Sequence, residues 1–288
     1  MEKQHYIIKK NEAFNLEHIF ECGQCFRWNK ETDGSYTGVI GNNVLNVKED
    51  NNNIIFDGVC EENIEKLITN YFNLNTDYEK IKKELSKVDE YLKTSIEYGN
   101  GIRILKQDLW ETIISFIISA NNNIPRIKGI IERMAKQYGK EIEYKGKLYY
   151  TFPTIKELST ASIEELRKLG LGFRDKRIYE TTQLFMSGTY SLEQIENLNN
   201  TEEIRNVLLE LPGVGPKVAD CILLFGLNKF DVFPIDVWVR RVMNDLYIKN
   251  EDETKVKKEE IENLAKEKYA NLAGIAQQYL FYWKRETA

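Results

Sequence analysis

Two residues in the C-terminal half have side chains that could act together on the anomeric carbon of a sugar. Lys217 directly follows a glycine- and proline-rich turn, and Asp236 comes after the buried-looking pair Pro234-Ile235. A lysine amine can attack a sugar C1′ or form a Schiff base with an aldehyde. A carboxylate held nearby can stabilise positive charge on the sugar or relay a proton. This pair predicts nucleophilic chemistry at a glycosidic carbon.

The elements around Lys217 are predicted to be two helices joined by a tight turn. Apolar residues have helical spacing over 204–211 and again after residue 217, with the run Pro-Gly-Val-Gly-Pro between them. Gly213 and Gly215 can adopt positive φ and allow backbone N–H groups to face an anion. We therefore predict that the amides of Gly213, Val214 and Gly215 hold a DNA phosphate.

Each member of the pair also has a purely structural interpretation. Pro216 suits the first position of a helix, which places Lys217 in the first turn, where the helix dipole disfavours an ammonium. Taken alone, Lys217 is a solvated helix lysine that touches phosphate, and Asp236 is a helix N-cap that contributes about 1 kcal/mol. Their shared position around one hairpin favours a catalytic role for the pair. Asp236 can cap its helix and also take part in the reaction.

Length and composition indicate an ordinary soluble globular protein of one large or two smaller domains. The chain has 288 residues, of which 42% are hydrophobic and 30% charged. The longest apolar runs, such as 113–120, are far shorter than the roughly 18 residues of a membrane span. We expect no membrane association, a monomer, and a cytoplasmic protein associated with chromosomal DNA, or a nuclear one in a eukaryote.

The charge is distributed unevenly along the chain. The net charge is −5, which taken over the whole molecule argues against a nucleic-acid partner. Residues 101–140, however, carry seven lysines and arginines against three acids, a local excess of 7 − 3 = +4. Because phosphates respond to the local charge, a basic face on one side of the protein is allowed.

The four cysteines do not predict a metal or redox centre. Cys22 and Cys25 form a CxxC, but Cys60 and Cys221 supply no second pair to complete a zinc site. No cysteine follows Cys221, which excludes a four-thiolate iron–sulfur cluster near the C-terminus. We therefore expect no cofactor held by side chains.

Short β-type runs and turn signals alternate through residues 1–60. The segments 25–29 and 36–40 flank Asp33-Gly34, a favoured hairpin dipeptide, and 44–47 and 54–56 follow further turns. These predict an antiparallel meander. From residue 61 onward the spacing is helical, and two capping-box patterns, Asp108 with Glu111 and Ser162 with Glu165, mark helix starts.

The order of these motifs resembles the helix-hairpin-helix DNA glycosylase superfamily, and within it the 8-oxoguanine DNA glycosylases. The resemblance rests on Leu-Pro-Gly-Val-Gly-Pro-Lys-Val-Ala-Asp at 211–220 and Pro-Ile-Asp-Val at 234–237, and it spans most of the chain. It implies an α+β, mostly helical fold. An antiparallel sheet with flanking helices would occupy 1–100, and a two-lobed helical domain 101–288, with the hairpin at about 204–226.

The resemblance also implies an activity on double-stranded DNA that contains an oxidised purine. The enzyme would flip 8-oxoguanine out of the duplex and release it through attack of Lys217 on C1′, assisted by Asp236. The Schiff base would then support β-elimination on the 3′ side. A monovalent cation shared between hairpin and phosphate is a further implication of the resemblance.

Four residues are assigned to the damaged base by the resemblance. The carbonyl of Gly23, in Gly-Gln-x-Phe, would accept from N7–H, which distinguishes 8-oxoguanine from guanine. Cys221 and Phe281 would sandwich the base, and Gln277 would contact its Watson–Crick edge. Without the resemblance, Gly23 is a turn glycine and Phe281 a core residue.

Four more residues are assigned to the gap and to the opposite base. Asn121 would fill the space left by the flipped nucleotide, and Phe173 would wedge between bases. Arg126 and Arg174 would donate to O2 and N3 of the orphaned cytosine, which predicts a preference for cytosine. Read on their own, both arginines are ordinary phosphate or solvent contacts. The chain differs from the family at one position: it has Trp238 where some members have a phosphate-binding histidine.

Two alternatives remain open at this point. One is a related glycosylase for another damaged base, although the pyrimidine branch typically carries the excluded iron–sulfur cluster and the alkylpurine branch generally lacks the lysine. The other is a non-catalytic hairpin module that binds DNA through phosphates alone, for which Lys217 would be unnecessary.

Overall fold

The computed structural model describes residues 1–287 and contains an N-terminal antiparallel sheet followed by packed helices. This confirms the predicted α+β, mostly helical class. The sheet has five strands in the order β1-β5-β4-β3-β2, and all neighbours are antiparallel. The strands are β1 (Glu2–Lys9), β2 (Trp28–Lys30), β3 (Tyr36–Ile40), β4 (Asn43–Asp50) and β5 (Asn53–Cys60).

The predicted meander corresponds to β2 through β5. Gly34 in the first turn has φ +83°, and the Asp33 carboxylate accepts from the Ser35 amide at 3.0 Å, as the Asp-Gly signal predicts. The first strand was not predicted. β1 is a polar edge strand that buries no residue fully, so it lacks the apolar alternation that marks a half-buried strand.

The helices that follow cover one face of the sheet and form the second part of the molecule. Helix α1 (Leu16–Glu21) lies between β1 and β2. The others are α2 (Ile64–Tyr71), α3 (Tyr78–Leu85), α4 (Glu90–Tyr98), α5 (Leu109–Ser119), α6 (Ile124–Tyr138), α7 (Ile155–Leu158), α8 (Ile163–Leu166), α9 (Asp175–Met186), α10 (Leu192–Asn197), α11 (Thr201–Leu209), α12 (Pro216–Leu227), α13 (Val237–Met243), α14 (Lys258–Tyr269) and α15 (Ala273–Thr287).

The predicted helix starts agree with the structure, one of them in full. Ser162 and Glu165 form both hydrogen bonds of a capping box at α8. Asp108 caps α5 by accepting from the Glu111 amide at 2.8 Å, but the reciprocal bond from the Glu111 side chain is not part of this cap. Either arrangement satisfies amides that the first helical turn leaves unpaired.

The expectation that everything after residue 61 is helical was wrong at one place. Residues 141–150 form a two-stranded hairpin, β6 (Glu141–Tyr144) and β7 (Lys147–Tyr150). Lys145 and Gly146 in its turn both have positive φ, +49° and +74°. That geometry is the two-residue turn that suits the twist of a hairpin. The Lys-Gly dipeptide between two β-type runs was therefore the sequence signal that could have predicted this hairpin.

The described residues form three hydrophobic clusters, and the two larger ones do not divide the chain at a single position. The sheet core contains Phe14, Phe20, Trp28, Phe56 and Phe72, whose rings contact one another. The helical core is centred on α5 and α12, and α3 and α4 contribute to it even though they precede residue 100. The predicted division at 100/101 stays a prediction, since the helical core already includes residues from 78 onward.

A buried arginine fixes the segment that leads from the sheet into α5. Arg103 is 3% exposed, and its guanidinium donates to the carbonyls of Phe72, Asn73, Thr76 and Ala13 at 2.6 to 3.3 Å. These carbonyls belong to loops that flank the sheet. The two cores are thereby held in one orientation. In the described part of the chain, no helix is long and apolar enough to cross a membrane.

The packing at β3 predicts that Gly38→Ala destabilises the protein. A Cβ at Gly38 would lie 2.4 Å from Cδ2 of Trp28, the residue it faces on β2. Trp28 is 1% exposed and its Nε1 donates to the Tyr71 hydroxyl at 2.9 Å, so the ring cannot move aside. We expect a loss of about 2 kcal/mol in the free energy of unfolding, measured by denaturant titration.

Gly129→Ala is the matched control for Gly38→Ala. Gly129 lies inside α6, where a Cβ meets only Nη1 of the exposed Arg133 side chain, at 3.2 Å. Alanine there should leave stability unchanged or raise it by up to about 1 kcal/mol. Equal losses in the two variants would contradict the packing account.

Candidate active site

Six of the sequence-predicted site residues surround one small cavity between the sheet and the helices. Its volume is about 60 Å³, the space of roughly two waters at ~30 Å³ each. A cavity of this size admits no purine until its walls move. The lining residues are Cys22, Gly23, Phe116, Lys217, Cys221, Phe225, Pro234, Asp236, Val239, Gln277, Gln278 and Phe281.

The hairpin that carries Lys217 has the predicted form. Helix α11 ends at Leu209, and α12 begins at Pro216 with Gly215 as its cap residue. Gly213 has φ +88°, and a Cβ there would lie 2.8 Å from Cδ of Arg177, so the position requires glycine on both counts.

The hairpin amides need one correction. The Val214 N–H donates to the Leu211 carbonyl at 3.0 Å and is therefore used inside the turn. The amides of Gly213 and Gly215 form no hydrogen bond with residues 1–287. Of the three predicted phosphate-binding amides, these two are the ones left unpaired for an anion.

Lys217 lies half-buried in the first turn of α12. Its Nζ is 5.5 Å from the ring centroid of Phe116, which stacks on Phe225 in the core. Within the described residues, no carboxylate forms an ion pair with this amine. The amine therefore faces the cavity from an apolar wall without an acidic partner holding it.

Asp236 caps α13, as the sequence predicts. Its Oδ1 accepts from the Val239 amide at 2.7 Å. Pro234 and Ile235 are buried just before it and fix the direction in which the chain enters the helix. The cap hydrogen bond uses one carboxylate oxygen, which leaves the other to act on a ligand in the cavity.

Cys221 forms an apolar part of the cavity wall one turn after Lys217. Burial raises the pKa of its thiol to about 11, and the nearby Lys217 charge only partly opposes this effect. The sulfur is therefore a neutral thiol at physiological pH. It offers a polarisable surface for stacking and does not compete with the lysine as a nucleophile.

Gly23 closes the cavity from the side of the sheet. Its φ is +88°, and a Cβ there would lie 3.7 Å from Cε1 of Phe281 and 3.4 Å from Nη1 of Arg285. The guanidinium of Arg285 also donates to the Glu21 carbonyl and lies 5.4 Å from the Phe281 ring centroid. The C-terminal helix and the Gly23 loop are thus in direct contact.

The residue after Gly23 holds this loop in place and was missed by sequence reasoning. Gln24 is fully buried, and its Nε2 donates to the carbonyls of Ile19 and Arg103, both at 2.8 Å. Its Oε1 accepts from the Leu105 amide at 2.8 Å. The available signal was an uncharged polar residue in the otherwise apolar run from Cys22 to Phe26. Two of its three partners, Arg103 and Leu105, lie about eighty positions away and could not be named from the sequence.

Two neighbouring glutamines of α15 line the cavity together. Gln277, which was predicted, and Gln278, which was not, are 3% and 4% exposed. Nε2 of Gln278 donates to Oε1 of Gln277 at 2.7 Å. Oε1 of Gln278 is buried and has no hydrogen-bond partner among residues 1–287.

The residues predicted for the gap and the opposite base form a second cluster at the protein surface. Asn121 is exposed, in the left-handed conformation with φ +51°. Arg126 is exposed and donates to the Gly170 carbonyl at 3.2 Å. Phe173 is 57% exposed. The surface position fits the predicted contacts with DNA.

Arg174 differs from its neighbours because it is 2% exposed in this state. Its guanidinium donates to the carbonyls of Ala120, Asn121 and Leu171, at 2.8 Å for Asn121 and 3.2 Å for Leu171. Burial and the charges of Arg126 and Arg177 lower its pKa. In the unbound protein Arg174 thus supports the Asn121 turn, and its contact with cytosine stays a prediction.

Arg177 links the two clusters and was not singled out from the sequence. Its guanidinium lies 5.2 Å from the Phe173 ring centroid, and its side chain packs against Gly213 of the hairpin. The guanidinium carbon of Arg174 lies 4.2 Å from the centroid of the same ring. The exposed phenylalanine is therefore supported by two cations.

The remaining sequence features do not form a second centre. Trp238 is half-buried, and its buried Nε1 has no hydrogen-bond partner among residues 1–287. Cys22 and Cys25 are buried, and burial raises the pKa of both thiols. Over residues 1–287 no group of three or more His, Cys, Asp or Glu side chains is placed to hold a metal ion.

Comparison with known proteins identifies similar chains for both parts of the molecule. Residues 6–113 match the N-terminal domain of 8-oxoguanine DNA glycosylase, and residues 114–271 match the HhH-GPD superfamily of base excision DNA repair proteins. The N-glycosylase/DNA lyase of Saccharomyces cerevisiae is 34% identical over 82% of this chain and 68% of its own length. A probable N-glycosylase/DNA lyase of Methanothermobacter thermautotrophicus is 31% identical over 80% of this chain and 77% of its own.

A solved structure extends the similarity to three dimensions. The Clostridium acetobutylicum 8-oxoguanine glycosylase/lyase, in complex with double-stranded DNA containing cytosine opposite 8-oxoguanine, superposes with a TM-score of 0.93. It is 41% identical, and the match covers 99% of this chain and 97% of that one. The similarity therefore includes both the sheet and the helical part.

The buried amide of Gln24 predicts that Gln24→Leu lowers stability. The substitution removes three hydrogen bonds and leaves the Leu105 N–H and the Arg103 carbonyl buried without partners, while the Ile19 carbonyl keeps only the weak thiol donor of Cys22 at 3.4 Å. We expect a loss of about 3 kcal/mol in the free energy of unfolding, measured by urea titration. Gln137→Leu, at an exposed position on α6, should change stability by less than about 0.5 kcal/mol. A change in Gln24→Leu as small as this control's would refute the role of the amide.

Proposed function

The chain belongs to the 8-oxoguanine DNA glycosylase family of the HhH-GPD superfamily, and from this membership we propose that it excises 8-oxoguanine from duplex DNA and then cuts the strand. One observation carries the proposal. Lys217 and Asp236 face the same cavity as Gly23, Cys221, Gln277 and Phe281, so a nucleophile and a base pocket coincide.

The first step breaks the bond between the base and the sugar. The neutral Nζ of Lys217 attacks C1′, the C1′–N9 bond breaks, and its electron pair leaves with the base, which takes up a proton. Positive charge develops on the sugar as the bond lengthens. The Asp236 carboxylate, held in place by its cap bond to Val239, stabilises that charge.

The second step cuts the strand. The C1′–O4′ bond breaks as O4′ accepts a proton from Nζ, which leaves a Schiff base between Lys217 and C1′. Loss of a proton from C2′ then expels the 3′ phosphate from C3′. Water hydrolyses the Schiff base and returns the lysine, so no external oxidant or metal is consumed.

Recognition of the lesion uses the cavity in an opened form. The cavity of about 60 Å³ must widen, and Phe281 of the C-terminal helix and Gly23 of the loop after α1 both line it. Phe281 and Cys221 would then enclose the base on its two faces. The Gly23 carbonyl would accept from N7–H, a donor that guanine lacks at this position.

The surface cluster would hold the rest of the DNA. Asn121 fills the vacated position in the duplex, and Phe173 wedges beside it. Arg126 and Arg174 donate to the orphaned cytosine, and Arg174 must first release the Ala120 and Asn121 carbonyls. The unpaired amides of Gly213 and Gly215 bind a phosphate at the start of α12.

The proposal includes the remaining expectations about the working protein. We propose that a monomer acts on chromosomal DNA, in the cytoplasm of a prokaryote or the nucleus of a eukaryote. It would use no iron–sulfur cluster and no metal held by side chains. A monovalent cation shared between the hairpin and a DNA phosphate is its one proposed ion.

Borohydride trapping tests the central step. Duplex DNA with 8-oxoguanine should give a covalent adduct with the native protein, because borohydride reduces the Schiff base at Lys217 to a stable amine. Lys217→Gln should abolish the adduct, and Lys229→Gln, just beyond the other end of α12, should leave it unchanged. The adduct is measured by denaturing electrophoresis. A native protein that binds DNA without an adduct on any lesion would instead be a non-catalytic hairpin module.

The opposite base provides an independent test of the surface cluster. Excision of 8-oxoguanine should be fastest opposite cytosine, and Arg126→Ala should reduce this preference by about tenfold, since a lost base contact is worth ~1–3 kcal/mol. Single-turnover rates opposite each of the four bases measure it. Arg241→Ala, an exposed arginine paired with Glu253, is the matched control. Equal native rates opposite all four bases would refute the assignment of Arg126.

A further inference from the structure

Gln278 is a buried polar residue of the cavity, and the proposed mechanism gives it no role. It is 4% exposed, it lines the cavity with Lys217 and Gln277, and its Oε1 has no partner among the described residues. Buried amide oxygens are almost always hydrogen-bonded in folded proteins, because leaving one unpaired weakens the fold. Of the unpaired buried side-chain atoms among residues 1–287, the only amide oxygen is Oε1 of Gln278, and Gln278 lines the cavity where a ligand is expected to supply a donor.

The two glutamines act as one unit through their mutual hydrogen bond. Nε2 of Gln278 donates to Oε1 of Gln277, so each amide keeps one end free. Gln277 retains its Nε2 as a donor, and Gln278 retains its Oε1 as an acceptor. The cavity therefore offers a donor beside an acceptor.

This donor and acceptor match one edge of a guanine-type base. Such a base carries the O6 acceptor, the N1–H donor and the 2-amino donor along that edge, whereas an adenine-type base has no 2-amino group. We propose that Oε1 of Gln278 accepts a hydrogen bond from the 2-amino group of the flipped purine. Gln278 is then a second base-reading residue, and it selects oxidised guanine over oxidised adenine.

This inference rests on the proposed function, and its test separates the two. Single-turnover base excision is measured on matched duplexes with 8-oxoguanine or 8-oxohypoxanthine opposite cytosine. The second base differs from the first only by lacking the 2-amino group. Each excision rate is divided by the rate of strand cleavage at an abasic site, which has no base to contact and therefore reports general losses.

We expect the effect of replacing Gln278 on the excision rate to depend on whether the base carries the 2-amino group. The native protein should excise 8-oxohypoxanthine about tenfold more slowly than 8-oxoguanine, as expected for an unpaired buried polar group. Gln278→Leu should lose about tenfold on 8-oxoguanine and nothing further on 8-oxohypoxanthine. Gln278→Met, which keeps the length of the side chain without its amide, should behave as Gln278→Leu does.

Two results would overturn the inference while the proposed function stands. Equal losses on both bases would make Gln278 a support for Gln277 with no contact to the amino group. Undiminished excision of 8-oxoguanine by both variants would remove any role in base reading. If the native protein cleaves abasic sites but excises neither base, the proposed substrate is wrong and the inference fails with it.

Discussion

The site exists only because a loop from the sheet is held against helices that come much later in the chain, and the buried amide of Gln24 is the interaction that holds it. Gln24 bonds the Gly23 loop to the backbone of residues 103–105. Arg103 in turn fixes that segment to the carbonyls around Phe72 and Asn73. Because α5 follows directly and packs on α12, these bonds set the distance between Gly23 and Lys217. A satisfied buried amide tolerates little displacement, so the cavity wall is defined before any DNA arrives.

Sequence reasoning succeeded where the determining contacts are local and failed where they are not. The Asp236 cap and the Ser162 capping box each depend on residues three positions apart, and both form. The partners of Gln24, the unpaired oxygen of Gln278 and the burial of Arg174 depend on chain segments far apart in sequence. Hydrophobic periodicity carries no information about such pairings.

The unbound protein keeps its reading groups engaged with one another. Arg174 is hydrogen-bonded to the carbonyls of the Asn121 turn, and the cavity that Phe281 and Gly23 line has a volume of only about 60 Å³. If these side chains contact DNA, each must first give up its contact within the protein. The free energy of binding then gains only the difference between the new contact and the one that is lost. An undamaged base would form fewer contacts in the opened cavity. Those contacts would not offset the free energy that opening the cavity costs. Selectivity can therefore arise partly from the stability of the closed state.

The overall negative charge is compatible with DNA binding because three arginines lie close together around the exposed Phe173. Burial lowers the pKa of Arg174, and the nearby charges of Arg126 and Arg177 add to this effect. The unpaired hairpin amides add the positive end of α12. At physiological salt, charges more than about 8 Å apart in solvent are largely screened, so the acidic remainder of the surface acts weakly on a bound phosphate. The same acidic surface gives little attraction to DNA elsewhere. Binding should then depend on contacts at the flipped nucleotide more than on contacts along the duplex, which suits a protein that must distinguish one altered base among many normal ones.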